Sequence, residues 1–415
     1  MYGAKISDMT REKTFWVVTE LFFPEETSTA YIMTKISEQV AGKRKVHVLC
    51  GPAAYQQSKI MADAQRLENI EITRVKAGNL NKDKLLQRAL RLVLISLRLA
   101  FALFRKAKRG DDVLLVTNPA PLLLLAARIC RWKGLRCYTI VHDVFPENLV
   151  VAKLVKPGSL PYRFLKSIFN AAYSRMTVLL VLGRDMKALF EEKMAKYSYR
   201  PLIHIIENWA DIEIISPQDK MGNGLVQDLH IGEKIIFQFA GNLGRVQGLQ
   251  ELFAIIREVR NPLLHFMFIG EGASKKELQA YVEAHQLTNV SILDSFPRSK
   301  QQQFLNASDI GIVSLQDGMV GLGVPSKSYN ILAAGKPILY IGDRSGEIGQ
   351  MVEEHGVGWC FQLTDKEGLL HFFNSFSKAS VAELETKGAR ARSLAVNVYS
   401  KERILDKYAQ ILTVT

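Results

Sequence analysis

Twelve short apolar runs rich in β-branched residues recur along the chain, separated by stretches of helical periodicity, and this alternation constrains the fold more than any other feature. Repeating strand–helix units of this kind build parallel sheets, whose buried strands read as continuous apolar runs. The fold class is therefore α/β. The first six runs are FWVVTE (15–20), KVHVLC (45–50), DVLLVT (112–117), RCYTIV (136–141), TVLLVL (177–182) and LIHIIE (202–207). A polar, glycine-containing stretch, DKMGNGLVQDLHIGEK (219–234), interrupts the series. Then come KIIFQFAG, HFMFIG, VSILDS, IGIVSL, PILYIG and GWCFQ. A 415-residue chain exceeds what one core holds. Two Rossmann-like domains are predicted, over residues 1–212 (with 1–13 as a tail) and from 234 onward, joined by a linker at 213–233. Open α/β sheets bind ligands beyond the carboxyl ends of their strands, so function is expected in the cleft between the two sheets.

The residues just after strands carry the candidate chemistry. In FAGNLGRVQGLQEL (239–252), Gly241, Gly244 and Gly248 let the backbone approach a ligand, and Arg245 adds a fixed charge. Their GxxGxxxG spacing is not the dinucleotide GxGxxG, and a plain βα turn remains the alternative. FIGEGASKKEL (268–278) sets Glu271 between two glycines, either at a ligand or in a tight turn. VPSKSYNILAAGKP (324–337) predicts a helix over 325–334, with proline at its start and glycine beyond its end. Ser326 and Lys327 stand at its positive end. Lysine opposes the dipole there, and a bound diphosphate would account for its placement; capping by Ser326 with a solvated Lys327 is the alternative. In VTELFFPEETSTAYIMTKI (18–36), Thr27, Ser28 and Thr29 open a helix, as caps, as acceptor-binding contacts to a substrate phosphate, or as both. TIVHDVFPENL (139–149) ends a strand on His142 and Asp143, suited to acid–base work or sugar binding, or to satisfying loop amides.

No HExxH, GxSxG, Walker P-loop, DxD or clustered Cys/His set is present, which removes the sequence support for metal hydrolases, serine hydrolases and Walker ATPases. Neither metal nor cofactor is expected. The four cysteines sit in or beside apolar runs, as reduced core thiols do. No signal peptide is expected at the amino terminus, and the longest uncharged run, Val113–Ala127, is too short to span a bilayer.

A formal charge of +13 favours an anionic partner. Helical periodicity over 81–109, from Asn81 as cap to Gly110 as stop, places Lys84, Arg88, Arg91, Arg98, Arg105 and Arg109 within a stripe of about 100°. Most of the remaining circumference is apolar. This pattern suits an anionic membrane surface, contacted through Arg88, Arg91, Arg98 and Arg105; a dimer interface is the competitor. The stripe lacks a nucleic-acid reading motif, and no nucleic-acid partner is expected.

In chain order, DVFPEN, NWAD, GNLGRVQGL, FIGEG, DSFPRSKQQQFLNASDIGIVSL and VPSKSYNILAAGKP resemble the family 4 GT-B glycosyltransferases. The likeness is to the branch of L-fucosamine and colanic-acid type transferases of bacterial surface polysaccharide synthesis, and it runs from about Phe15 to the end. The resemblance implies that residues 234–398 hold a nucleotide-sugar donor, that the first domain holds the acceptor, and that a helix over 399–415 crosses back to it. Gly241, Asn242, Arg245 and Gln247 correspond by position to the donor-diphosphate loop, and Ser326 and Lys327 to its second contact. Glu271, Phe296 and Pro297 fall near the nucleoside, and Asp143 near the reacting sugar. The chain departs from the family at Gln247, where many members carry lysine, and at Leu322 and Asn330, where they carry glutamates. Asn330 is then expected to meet ribose hydroxyls, and Leu322 to leave the hexose position less polar, as for a deoxy sugar.

The implied activity is transfer from a UDP-sugar to a polyprenyl-diphosphate-linked acceptor, without metal and with retention, on the cytoplasmic face of the inner membrane. In that case the leaving phosphate takes the acceptor proton. In an inverting reaction Asp143 or His142 would be the base. A nucleotide-sugar epimerase and a catalytically degenerate membrane-bound partner are the competing readings.

Overall fold

The computed structural model describes residues 12–53, 69–76 and 85–413. Two wholly parallel sheets organise it. The first has seven strands in the order β3-β2-β1-β4-β5-β6-β7: β1 Phe15–Thr19, β2 Val46–Cys50, β3 Ile70–Arg74, β4 Asp112–Val116, β5 Arg136–Val141, β6 Val178–Val181 and β7 Leu202–Ile205. The second has six in the order β10-β9-β8-β11-β12-β13: β8 Ile235–Ala240, β9 Leu264–Ile269, β10 Val290–Leu293, β11 Ile310–Ser314, β12 Ile338–Ile341 and β13 Gly358–Phe361. Each is a Rossmann order, with its direction reversing at β1/β4 and at β8/β11. All twelve predicted runs lie on these strands. The thirteenth, β3, reads IEITR, a half-exposed edge strand whose charges break the apolar signature.

The helices that bear on the site are α1 Ser28–Ala41, α2 Leu85–Lys106, α3 Ala120–Lys133, α4 Glu147–Val151, α5 Leu160–Tyr173 and α6 Arg184–Met194 in the first half. In the second they are α7 Leu249–Ile256, α8 Lys275–His285, α9 Lys327–Ala333, α10 Glu347–His355, α11 Val381–Asn397 and α12 Lys401–Leu412. Helices α2, α3 and α5 pack side by side, and α1 packs against α12. That last helix returns to the first sheet's domain: Gln39 Nε2 donates to Asp406 Oδ1 at 3.1 Å, and Arg44 Nη1 to the Leu412 carbonyl at 3.0 Å.

One apolar core runs from Phe15, Val17 and Leu114 in the first sheet through the domain boundary to Met267, Val313 and Tyr329 in the second. A separate core, rich in phenylalanine around Phe237, Phe266 and Phe373, fills the outer face of the second sheet. All four cysteines are free and buried. Among the described residues no helix is long and apolar enough to cross a membrane.

Candidate active site

A cavity of about 510 Å³ opens where the carboxyl ends of the two sheets face each other. Of the expected donor residues, Gly241, Asn242, Glu271, Phe296, Ser326, Lys327 and Asn330 line it, and the first domain contributes Thr27 and Ser28. Thr27 also caps α1, its Oγ1 accepting from the Ala30 amide at 3.3 Å, so both functions proposed for it are compatible.

The glycines of the two βα loops have a geometric purpose. Gly270 sits at φ +151°, and a Cβ there would stand 1.8 Å from the Gly241 carbonyl oxygen. Only glycine lets these loops lie against each other beneath the cavity. Glu271, which follows it, is held by Lys275 at 2.6 Å. Phe296 is partly exposed, its ring 5.9 Å from that of Phe304 and nearly parallel to it.

Lys327 is the most unusual group. Its Nζ lies 3.1 Å from the centre of the Phe239 ring, and among the described residues it has no acidic partner. Burial holds its pKa well below that of an ordinary lysine. The other cation lining the cavity, Arg298, is paired with Asp211. Helix α9 begins at Lys327 and runs only seven residues, shorter than the 325–334 expected, and Ser326 makes no capping hydrogen bond. A short helix contributes little dipole, so the positive potential there comes chiefly from the ammonium.

Several expected residues stand elsewhere. Thr29 and Pro297 do not line the cavity. Arg245 lies on a second cavity beyond Gly244, and Gln247 is folded into the loop, where its buried Oε1 has no partner among the described residues and its carbonyl accepts from Ser314 Oγ at 2.6 Å. Leu322 is 5% exposed and packed into the core, so its side chain does not shape a hexose position. Its carbonyl instead accepts from the Val144 amide at 3.2 Å, stitching the two domains together. Asn330 does line the cavity; its Oδ1 accepts from the Asp211 amide at 3.1 Å, which fixes the side chain and leaves its Nδ2 to donate.

His142 and Asp143 lie at this seam rather than on the cavity wall. Their amides each donate to Thr117 Oγ1 at 3.1 Å. A Cβ on Gly323 would stand 3.1 Å from the His142 carbonyl and 4.0 Å from Asp143 Oδ1. Burial lowers the His142 pKa to about 4, leaving a neutral imidazole whose Nε2 has no partner among the described residues. Burial also raises the pKa of Asp143, against the opposing hydrogen bond from Asn148 Nδ2 at 2.9 Å.

Sequence reasoning assigned no role to Tyr31, Trp209, Asp211 and Arg298, which form one cluster on the cavity wall. Asp211 Oδ1 accepts from the Tyr31 hydroxyl at 2.6 Å and from Trp209 Nε1 at 3.3 Å, and its other oxygen accepts from Arg298. The Arg298 guanidinium lies 3.6 Å over the Tyr31 ring. The cluster ties α1, the interdomain segment and the second domain together. The hints in the sequence were NWAD, standing where the first strand series ends, and DSFPRSK, which carries Arg298.

The membrane candidates also divide. Asn81 and Lys84 lie outside the described residues, as does the Arg88 side chain. Arg91 turns inward to pair with Glu20 at 2.9 Å, so it is not available to a membrane. Arg98 donates to the Lys76 carbonyl, and Arg105 lies 5.8 Å over the Phe101 ring. Leu90, Val93, Leu97, Phe101 and Phe104, spaced three and four apart, form an exposed apolar stripe along α2. Trp132 of α3 is 73% exposed and stacks on Phe104 at 5.3 Å.

Two facing Rossmann domains with a cavity between the carboxyl ends of their sheets define the GT-B class of transferase. Comparison with known proteins agrees. Residues 226–389 match the family described as glycosyl transferases group 1. The chain is 36% identical over 330 residues to the probable glycosyltransferase WbjE of Pseudomonas aeruginosa, covering 79% of this chain and 81% of that one. It is 26% identical over 210 residues to the putative colanic acid biosynthesis glycosyl transferase WcaI of Escherichia coli K12, covering 48% and 49%. The fold is similar to that of Anabaena HepE, solved with UDP-glucose, at a TM-score of 0.69 and 14% identity over 96% of this chain and 99% of that one. The chain belongs to the group 1 glycosyl transferases, and it is a glycosyltransferase.

Proposed function

We propose that this enzyme moves a sugar, an N-acetylated or deoxy hexosamine, from a UDP-sugar to a polyprenyl-diphosphate-linked acceptor in bacterial surface polysaccharide synthesis. The observation that carries the donor half is Lys327, a desolvated lysine with no acidic partner among the described residues, set beside Gly241 on the wall of a cavity of nucleotide-sugar size. HepE, with the same fold, was solved with UDP-glucose. The relatives' names support the polysaccharide context.

In the reaction, the bond between the anomeric carbon and the diphosphate oxygen breaks, and the acceptor hydroxyl oxygen bonds to that carbon. In the retaining form its proton passes to the departing diphosphate oxygen on the same face, so no protein base is required. Lys327 and the loop amides stabilise the charge that develops on the diphosphate. An inverting course would need a base, and the expected candidates, His142 and Asp143, lie at the seam off the cavity wall, with the His142 Nε2 buried; product anomer determination by NMR separates the two courses.

UDP release from a panel of UDP-sugars, with and without a polyprenyl-diphosphate-linked saccharide, tests the proposal. Acceptor-dependent release that persists in EDTA is expected. Conversion of the donor alone would mean epimerisation, and no turnover of any donor would overturn the UDP-sugar assignment.

The apolar stripe of α2 and Trp132 supports peripheral attachment to the cytoplasmic face of the inner membrane. Aromatic and basic side chains side by side suit a headgroup layer, at about 1 kcal/mol per basic residue near anionic lipid. Phe101→Ser combined with Trp132→Ser is expected to lower sedimentation with anionic vesicles severalfold while leaving UDP binding unchanged. Wild-type sedimentation by this variant would instead point to a subunit interface.

A further inference from the structure

The positive charge of the chain is concentrated in one segment. Residues 84–184 hold eighteen Lys and Arg against four Asp and Glu, +14, while the whole chain carries +13. Between Glu147 and Asp185 there is no acid at all. Within this acid-free segment Leu154, Leu160 and Phe164 are 51%, 79% and 66% exposed, interleaved with Lys153, Lys156 and Arg163.

The segment begins at a second cavity of about 300 Å³, closed on one side by Ala152 and Lys153 after α4 and on the other by Gly244 and Arg245. Gln316 Nε2 donates to the Val151 carbonyl at 2.8 Å and holds the two sides together. Among the described residues neither Lys153 nor Arg245 has an acidic partner. Glu251 and Glu277 share the lining, so the cavity suits a ligand carrying both anionic groups and hydroxyls rather than a bare inorganic anion. Lys153 has φ +58°, one place past the C-cap of α4, a left-handed position where glycine is the usual residue. A lysine stands there at a conformational cost, and it lines the cavity.

Building on the proposed function, we infer that this cavity seats the diphosphate and first sugar of the lipid-linked acceptor, and that the hydrocarbon chain leaves over Leu154, Leu160 and Phe164. Lys153 meets the diphosphate with Arg245 opposite, and Glu251 and Glu277 accept from sugar hydroxyls. The lipid path lies beside α5, which packs on α3, and α3 in turn packs on α2. A tail leaving here therefore emerges on the same apolar and basic face that the enzyme would set against the bilayer.

Calorimetry on the full chain with farnesyl diphosphate and with inorganic diphosphate tests this, at saturating UDP so that the donor cavity is filled. Farnesyl diphosphate is expected to bind more tightly than inorganic diphosphate. Lys153→Gly, which suits the left-handed backbone, should weaken both about tenfold, the effect of losing one charge-assisted contact. Phe164→Ser should weaken farnesyl diphosphate alone, severalfold, and UDP affinity should be the same in all three proteins. Unchanged farnesyl diphosphate affinity in both variants overturns the inference. Inorganic diphosphate binding as tightly as the lipid, with no response to Phe164→Ser, also overturns it, leaving a phosphate site without a lipid path. If UDP fails to bind the wild-type chain, the UDP-donor reading falls, and the same lipid titrations without UDP still decide the acceptor seat.

Discussion

Lys327→Met is expected to lower kcat/KM for transfer by about 10²–10³, the cost of removing one preorganised donor aimed at a developing charge, with no loss of thermal stability. Methionine keeps the apolar stem against Phe239 and removes a poorly hydrated amino group that has no acidic partner among the described residues. The stability of the free protein should therefore hold or rise while UDP affinity falls. A Tm lowered in step with activity would show that the lysine is structural.

The same residue makes donor binding pH-dependent in a defined direction. Burial depresses the Lys327 pKa in the free enzyme, and an adjacent diphosphate dianion raises it again. Between those two values UDP binding takes up a proton, and affinity falls as pH rises through the lower one. Calorimetry in buffers of different ionisation enthalpy reads the uptake directly, and Lys327→Met should abolish it.

Asp211→Ala should be the most destabilising single change near the site, at about 3–5 kcal/mol, because it leaves a partly buried arginine without its partner. It also frees the Tyr31 hydroxyl and Trp209 Nε1, since all three donors converge on this carboxylate, which is 1% exposed. Two of these groups belong to the first domain and its exit segment, and Arg298 belongs to the second. The variant should therefore loosen the domain pair as well as lower the unfolding midpoint. Denaturant unfolding and small-angle scattering together check this. Asp211→Asn keeps one acceptor oxygen and should lose less. Equal stability of Asp211→Ala and the wild type would mean that the cluster does not hold the domains.

Much of the architecture was legible from local pattern. Parallel strands covered on both faces must be apolar throughout, so the buried strands announced themselves, and only β3, half-exposed at a sheet edge, did not. The glycines after strand ends and the lysine opening a helix were legible as residue types at telling positions: Gly270 stands where two loops meet closely, and Lys327 where a positive charge opposes the dipole. What could not be read was which way a side chain points once a loop has folded. Arg245 and Gln247 follow Gly244 by one and three residues, yet one faces a second cavity and the other is folded into the loop. Arg91 shares a helical stripe with Arg98, and only the position of Glu20 turns it inward.

The sequence by itself determined two parallel α/β domains, a cleft between their strand ends, the glycine-bearing loops that floor it and an excess of positive charge. All of these follow from local periodicity, composition and chain order. Only the tertiary structure decided that Asp211 gathers donors from both domains, that Leu322 is core rather than sugar contact, and that Lys153 and Arg245 line one second cavity. These bring together residues roughly 90 or more positions apart in the chain. Their energies depend on distance and burial in the folded chain, which no local pattern encodes.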